Sequence, residues 1–317
     1  MSEETWIDAH RIEAAGAWLF WSEAPDSRLT GSIEQLGQLE PVLAAEEGGG
    51  IRLVSGYKRL LACKSLGRPV WVRFVVGDDL YKGRLYLHAN LYQEPAGAGL
   101  VSCARFFQTQ LEKKEVRGFL EEELRGVVSA KALDQVEKWL SLEGFWVQAL
   151  KKGRVPFEAG PLLASVCLDD RESFALFFDS LSWSWNKARN FLTWTLESAK
   201  RDRVSAARLI QREGLLDILQ KDLSPNDMQK HLLQRAYSLR YPALTRLEQG
   251  FKALQDDLGK KGVWRILPEQ HFEVNGFTLQ TRIRERDDLE RALLQLQDLR
   301  DKGSFDPIWR WQRENLG

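Results

Sequence analysis

The 317-residue sequence has no hydrophobic run of the roughly 18 residues that a membrane span needs. Nor does its start, Met1-Ser2-Glu3-Glu4-Thr5, combine a basic stretch with an apolar one, so no secretory leader is expected. Cysteine is scarce: Cys63, Cys103 and Cys167 are odd in number, far apart and never spaced CxxC. That excludes a disulfide framework or a zinc site and predicts small buried thiols in a cytoplasmic protein. Four scattered histidines offer no metal constellation. There is no GxxxxGK[ST] phosphate loop, no GxGxxG dinucleotide fingerprint, and no nucleophile spaced with a partnered base. An excess of either charge is absent too, with 45 Lys+Arg against 45 Asp+Glu. By segment the balance is 10 against 13 over 1–95, 21 against 19 over 96–238, and 14 against 13 over 239–317. No segment carries the basic excess that duplex binding usually leaves, although a neutral sum does not fix which face holds the cations.

What is abundant is tryptophan, twelve residues, most of them inside periodic apolar stretches such as Trp183-Ser184-Trp185 and Trp194. They are expected as core or interface filler rather than as stacking platforms for bases. Three regions then separate by pattern. Over the first, β-type runs at 41–44, 51–54 and 70–76 alternate with a helical stretch at 57–66 that ends at Gly67, which is α/β grammar. From Leu100 to Ala236 apolar residues recur every three or four positions, and Ser129, Asp169 and Ser184 stand as helix caps. Asn226–Tyr241 reads as a linker helix broken at Tyr241-Pro242. The last region opens with an amphipathic helix on Leu244, Leu247, Phe251, Leu254 and Leu258, closed by Gly259. A strand over 263–267 follows, then a hairpin of 272–274 and 277–283 turning at Asn275-Gly276, then a helix from Asp287-Asp288. The expected fold class is α+β multidomain, with domains at 1–97 (small α/β), 98–238 (all-helical) and 239–317 (helix–strand–strand–helix). The last has too little core for a comfortable monomer, so a homodimer is expected through it.

Two glycine-centred turns are the candidate site. Ser32 to Val42 delivers a short helix through Gly37, Gln38, Leu39 and Pro41 into a strand. Leu53 to Ala62 runs from a strand through Ser55-Gly56 into a helix whose first turn carries Tyr57, Lys58 and Arg59. Free N–H groups at a helix start, a glycine that lets phosphate near the backbone, and two cations suit an anion.

The two turns together, Ser-Ile-x-x-x-Gly-x-Leu-x-Pro-Val and then Gly56-Tyr57-Lys58-Arg59, resemble the N-terminal domain of the ParB/sulfiredoxin type in ParB-like partition proteins. The resemblance implies that the first turn surrounds a nucleotide base and the second holds phosphates, with CTP as ligand and Mg²⁺ left open. A tyrosine stands in the second turn where that family has an acid. In its third box, Leu87 to Gln93 keeps only Asn90; Ala89 replaces the acid tied to hydrolysis and Gln93 replaces a phosphate-contacting arginine. Alanine cannot ligate metal or orient water, so the implied activity is binding, with at most weak CTPase action. No cysteine stands at the turn for sulfiredoxin chemistry.

Glu115–Leu142 resembles the family's helix-turn-helix, with Ser129, Lys131, Gln135 and Lys138 on its second helix as DNA contacts, interleaved by Asp134 and Glu137. The resemblance implies double-stranded DNA, a second copy of the chain and a partition ATPase as partners, nucleoid association in the cytoplasm, and no membrane. Two other readings stay open: an enzyme of the same fold, nuclease or small-molecule kinase, and an interaction scaffold that binds neither nucleotide nor DNA.

Overall fold

The computed structural model describes residues 4–21, 25–90, 97–259, 264–272 and 276–316. It divides into two compact units, 1–190 and 191–317. Among the described residues no helix is long and apolar enough to cross a membrane.

The first unit begins with β1 (Glu4–Asp8), β2 (Ile12–Glu13) and α1 (Ser27–Leu36). Next come β3 (Val42–Glu47), β4 (Gly50–Ser55), α2 (Tyr57–Ser65), β5 (Pro69–Phe74) and α3 (Asp79–Ala89). The five strands make one mixed sheet in the order β1-β5-β3-β4-β2. β3 runs parallel to β5 and antiparallel to β4, so Val42 sits opposite Val72. Ile33 from α1 and Leu60, Ala62 and Cys63 from α2 cover the sheet face formed by Val42, Ala44, Leu53, Val70 and Val72. Burying this aliphatic set supplies the main driving force for the domain.

On α3, Lys82 is buried against the Trp18 ring, 5.0 Å from its centroid, and pairs with Glu47 of β3 and with Asp79. Burial works against its charge, but the two carboxylates outweigh that and raise its pKa. The pairing fixes α3 to the sheet.

Seven helices follow in this unit: α4 (Gly97–Gln110), α5 (Lys113–Glu123), α6 (Ala130–Leu140), α7 (Gly144–Lys151), α8 (Gly160–Ser165), α9 (Leu168–Ser173) and α10 (Ala175–Ser180). The next helix, α11 (Trp185–Asp202), crosses into the second unit. The expected cap at Asp169 is corrected: α9 starts at Leu168 with Cys167 as its N-cap residue, and Asp169 lies in the first turn. There its charge still complements the helix dipole. An aromatic chain joins the sheet domain to the helices. Phe20 meets Tyr86 and Phe106 at ring separations of 5.3 Å each, and Phe107 meets Phe119 at 4.6 Å. Trp18, Trp139, Trp146 and Trp183 are buried as core filler, whereas Trp6 and Trp309 are exposed and the other six are half-buried.

The second unit continues with α12 (Ala206–Arg212), α13 (Pro225–Arg240) and α14 (Pro242–Gly259), the last two meeting at Tyr241-Pro242. β6 (Arg265–Pro268) pairs antiparallel with β7 (Phe277–Gln280), and α15 (Arg286–Asp301) and α16 (Asp306–Asn315) close the chain. The hairpin therefore differs from the expected one. Its first arm is 265–268, and Phe272 ends a short 3-10 turn with φ at +72°. Val263, Glu273, Val274, Asn275 and the Leu258 side chain lie outside the described residues. Phe251, Ile266, Leu299 and Ile308 form a core that joins α14, β6, α15 and α16.

The cysteine expectation holds for two of three. Cys63 and Cys103 are buried, and burial pushes both thiols above the ordinary cysteine value, whereas Cys167 is exposed. A thiol-specific disulfide reagent is expected to titrate one thiol in the folded chain and three in denaturant.

Candidate functional site

The second glycine turn opens a cleft of about 270 Å³ lined by Trp21, Leu29, Glu40, Gly56, Tyr57, Lys58, Arg59, Tyr86, Ala89 and Asn90. Its floor is the start of α2. Gly56 caps that helix with φ +98° and ψ +30°, left-handed backbone that an L-residue rarely adopts. A Cβ there would stand 2.8 Å from Val42 Cγ1 and 3.2 Å from Val42 Cα, so glycine is needed for two reasons at once. Gly56 has no side chain to cap the helix start, which borders the cleft.

The opposite wall is the end of α3. Tyr86 and Asn90 are four residues apart, so they share a helix face. Asn90 Nδ2 donates to the Tyr86 carbonyl at 2.7 Å and to Ser55 Oγ at 3.4 Å, tying α3 to the end of β4. Tyr86 donates its hydroxyl hydrogen to the Trp21 carbonyl, and the two rings lie 5.5 Å apart. Trp21 Nε1 is buried and has no acceptor among the described residues.

Of the residues predicted from sequence, Gly56, Tyr57, Lys58, Arg59 and Asn90 come together around this cleft, with Ser55 buried beneath Asn90. Gly37, Gln38, Leu39 and Pro41 lie outside the lining; their segment contributes Glu40 instead. Gln38 is turned inward because the strand needs it. Its amide nitrogen donates to the carbonyls of Glu40 and Trp71 at 2.7 and 2.8 Å, and its oxygen accepts from Trp71 N–H at 2.8 Å. Leu39 is exposed. Gln93 lies outside the described residues.

Sequence reasoning missed Trp21, Leu29, Tyr86 and Glu40 as cleft residues. Only the Tyr86–Asn90 spacing carried a local signal, since Trp21 reaches Tyr86 across 65 positions. Glu40 pairs with Arg59 Nη1 at 2.5 Å while 78% of its own side chain is exposed. An anion in the cleft would compete with that carboxylate for Arg59. If the cleft holds an anion such as a phosphate, Glu40→Gln is expected to tighten its binding about three- to tenfold, read by calorimetry, through the loss of one like charge.

The predicted DNA-contacting residues lie on α6. Ser129 Oγ accepts from Ala132 N–H at 3.2 Å, so this hydroxyl is engaged as the helix cap. Lys131 and Lys138 are exposed on one face with half-buried Gln135 between them. The interleaved acids turn toward α5: Arg117 bonds Glu121, Asp134 and Glu137 at 2.8, 2.9 and 3.0 Å. These carboxylates hold the guanidinium pKa above its ordinary value. Between α5 and α6 the chain turns through Gly126 at φ +81°. Glu123 at the end of α5 meets Arg84 of α3 at 2.7 Å and also pairs with His88. A run of contacts thus leads from the cleft wall through α5 to α6.

No family model matches the sequence, and no curated protein matches it. Among solved structures, the chain is similar to the C-terminally truncated chromosome-partitioning protein ParB from Caulobacter crescentus complexed with CTP-gamma-S. The overlay has 16% identity and a TM-score of 0.27, covering 56% of this chain and 99% of that one. It is also similar to the same truncated protein complexed to the centromeric parS site, at 15% identity and a TM-score of 0.33, covering 56% and 92%. A Pnob8-like ParB-N domain overlays at 15% identity and a TM-score of 0.35, covering 78% of this chain and 98% of that chain.

Proposed function

We propose that this chain is a ParB-like DNA-binding protein, a dimeric clamp that responds to a nucleotide held in the cleft at the start of α2. The observation that carries the reading is the juxtaposition of Gly56, Lys58 and Arg59 with Trp21, Tyr86 and Asn90 around one cleft. The bare helix start and two cations fit phosphates, and the aromatic wall with the orphan Trp21 N–H fits a base. On the sequence resemblance the nucleotide is CTP. Mg²⁺, if it accompanied those phosphates, would offset their charge. Ala89 presents a methyl group to the cleft, and among the described residues Glu40 is the one carboxylate in its lining, so turnover is expected to be slow or absent.

DNA would be engaged through α6 as the second helix of a helix-turn-helix. Lys131 and Lys138 point outward, and the acids that would repel phosphate are held by Arg117. A second copy would pair through the C-terminal region, where α15 exposes Leu289, Leu293 and Leu294. A role beside a partition ATPase in the cytoplasm, on the nucleoid, belongs to the same reading.

The test is duplex retention across a salt series with and without CTP, alongside phosphate release. Retention that rises with CTP without stoichiometric hydrolysis supports the clamp. Sustained turnover supports an enzyme, and silence in both assays supports a scaffold. If α6 reads DNA, Lys131→Gln and Lys138→Gln are each expected to lower the log–log salt slope by about 0.9.

A further inference from the structure

α5 and α6 enclose a second pocket, of about 310 Å³, within the size range of small-molecule sites. Its floor is aliphatic, formed by Val116 and Leu120 of α5 and by Leu133 and Val136 of α6. Lys113 and Lys138, both exposed, belong to its lining, and neither meets a carboxylate among the described residues. The Arg117–Glu137 pair also borders it, so the lining carries three cations against one carboxylate. Glu121 and Asp134, the other acids that Arg117 holds, lie outside the lining.

An apolar slot with two lysines in its lining that meet no carboxylate among the described residues has a definite chemical complement. We infer that it binds a small amphipathic carboxylate, its hydrocarbon body between α5 and α6 and its carboxylate at Lys113 and Lys138. The division of labour follows from solvation. An exposed ion pair alone adds little, because water and salt screen it. Removing hydrocarbon from water adds affinity with each methylene, by about fourfold per group. Charge then sets orientation and selects the acid over a neutral molecule of the same length. Arg117 is committed to its three carboxylates across the two helices and holds the slot's walls at their spacing. The site is separate from the α2 cleft and stands whether or not that cleft takes a nucleotide.

The test is calorimetric titration of the full chain with hexanoate, octanoate and decanoate below their micellar concentrations, with acetate and octan-1-ol as controls. Affinity is expected to climb by about two orders of magnitude from hexanoate to decanoate, four methylenes apart, with acetate silent and octanol several times weaker than octanoate. Lys113→Gln and Lys138→Gln change exposed side chains and should leave the fold intact. Each is expected to weaken octanoate about threefold to fivefold and to leave octanol unchanged. Val136→Phe, with helical content checked by circular dichroism, should fill the slot and abolish both. Octanoate binding no tighter than acetate, or equal octanoate affinity in the wild type and both lysine variants, overturns the inference.

Discussion

Gly56→Ala is expected to lower stability by about 2–3 kcal/mol and to abolish nucleotide binding. Two costs combine. At φ +98° an alanine meets the steric penalty of left-handed backbone, about 1–2 kcal/mol. Its Cβ would also lie 2.8 Å from Val42 Cγ1 and 3.2 Å from Val42 Cα. The clash with the main chain is the more serious one, because backbone cannot rotate away. Val42 is fully buried and sits opposite Val72 in the parallel ladder, so relief requires moving β3 or tilting the start of α2. Either movement displaces the cleft floor. Urea unfolding measures the stability term. Adding Val42→Ala to Gly56→Ala removes the clash with Cγ1 but leaves the main-chain clash and the φ penalty, so it should not restore binding. Full rescue by that pair would show that the backbone is not the constraint.

Arg171→Ala should cost about 3 kcal/mol in the helical part of the first unit. The Arg171 side chain is 9% exposed, and its guanidinium meets three partners. It pairs with Glu143 through two nitrogens and donates to the carbonyls of Leu163 and Val166 at 3.0 Å each. One side chain thereby ties the start of α7 to the end of α8 and to α9. Losing a buried partner strands the others, at about 3–5 kcal/mol for a fully buried pair. Glu143 is 37% exposed and partly rehydrates, which places the cost at the lower end. Glu143→Gln should cost less, about 1 kcal/mol, because Arg171 keeps both carbonyls.

Acid should act on the same contact. Desolvation opposes charge on Glu143, but its bonds from Arg171 and from backbone outweigh that and depress its pKa. A depressed folded-state pKa means that the contribution is complete above the unfolded value near 4.5 and fades as pH falls below it. Arg171→Ala should therefore lose that part of the acid sensitivity, measured as the pH dependence of the urea midpoint.

The parts of the fold that were legible in the sequence are those punctuated locally. Gly56 and Gly67 bracket α2, and Ser129 announces α6. The breaks around 41–76 predict β3, β4 and β5 well. What was not legible depends on distant partners. β1 finds its place only by pairing antiparallel with β5, as in Trp6 opposite Trp71. Gln38 looks like a turn residue until Trp71 is seen to take both ends of its amide. Asp134 and Glu137 look like flaws in a basic helix face until Arg117 of α5 is seen to hold them. α16 was not anticipated; its Ile308 packs into a core built largely by other elements. The candidate site divides the same way: the glycine turn and its cations were readable, whereas the aromatic wall is assembled by the fold.

The most direct measurement is calorimetric titration of the full chain with CTP in Mg²⁺, repeated with Arg59→Ala. Wild type should bind one CTP per chain. The variant should bind about ten- to a hundredfold more weakly, as expected for a lost charge-assisted contact worth about 1.5–3 kcal/mol. No CTP binding by the wild type, or equal affinity after the arginine is removed, would contradict the assignment of this cleft to a nucleotide.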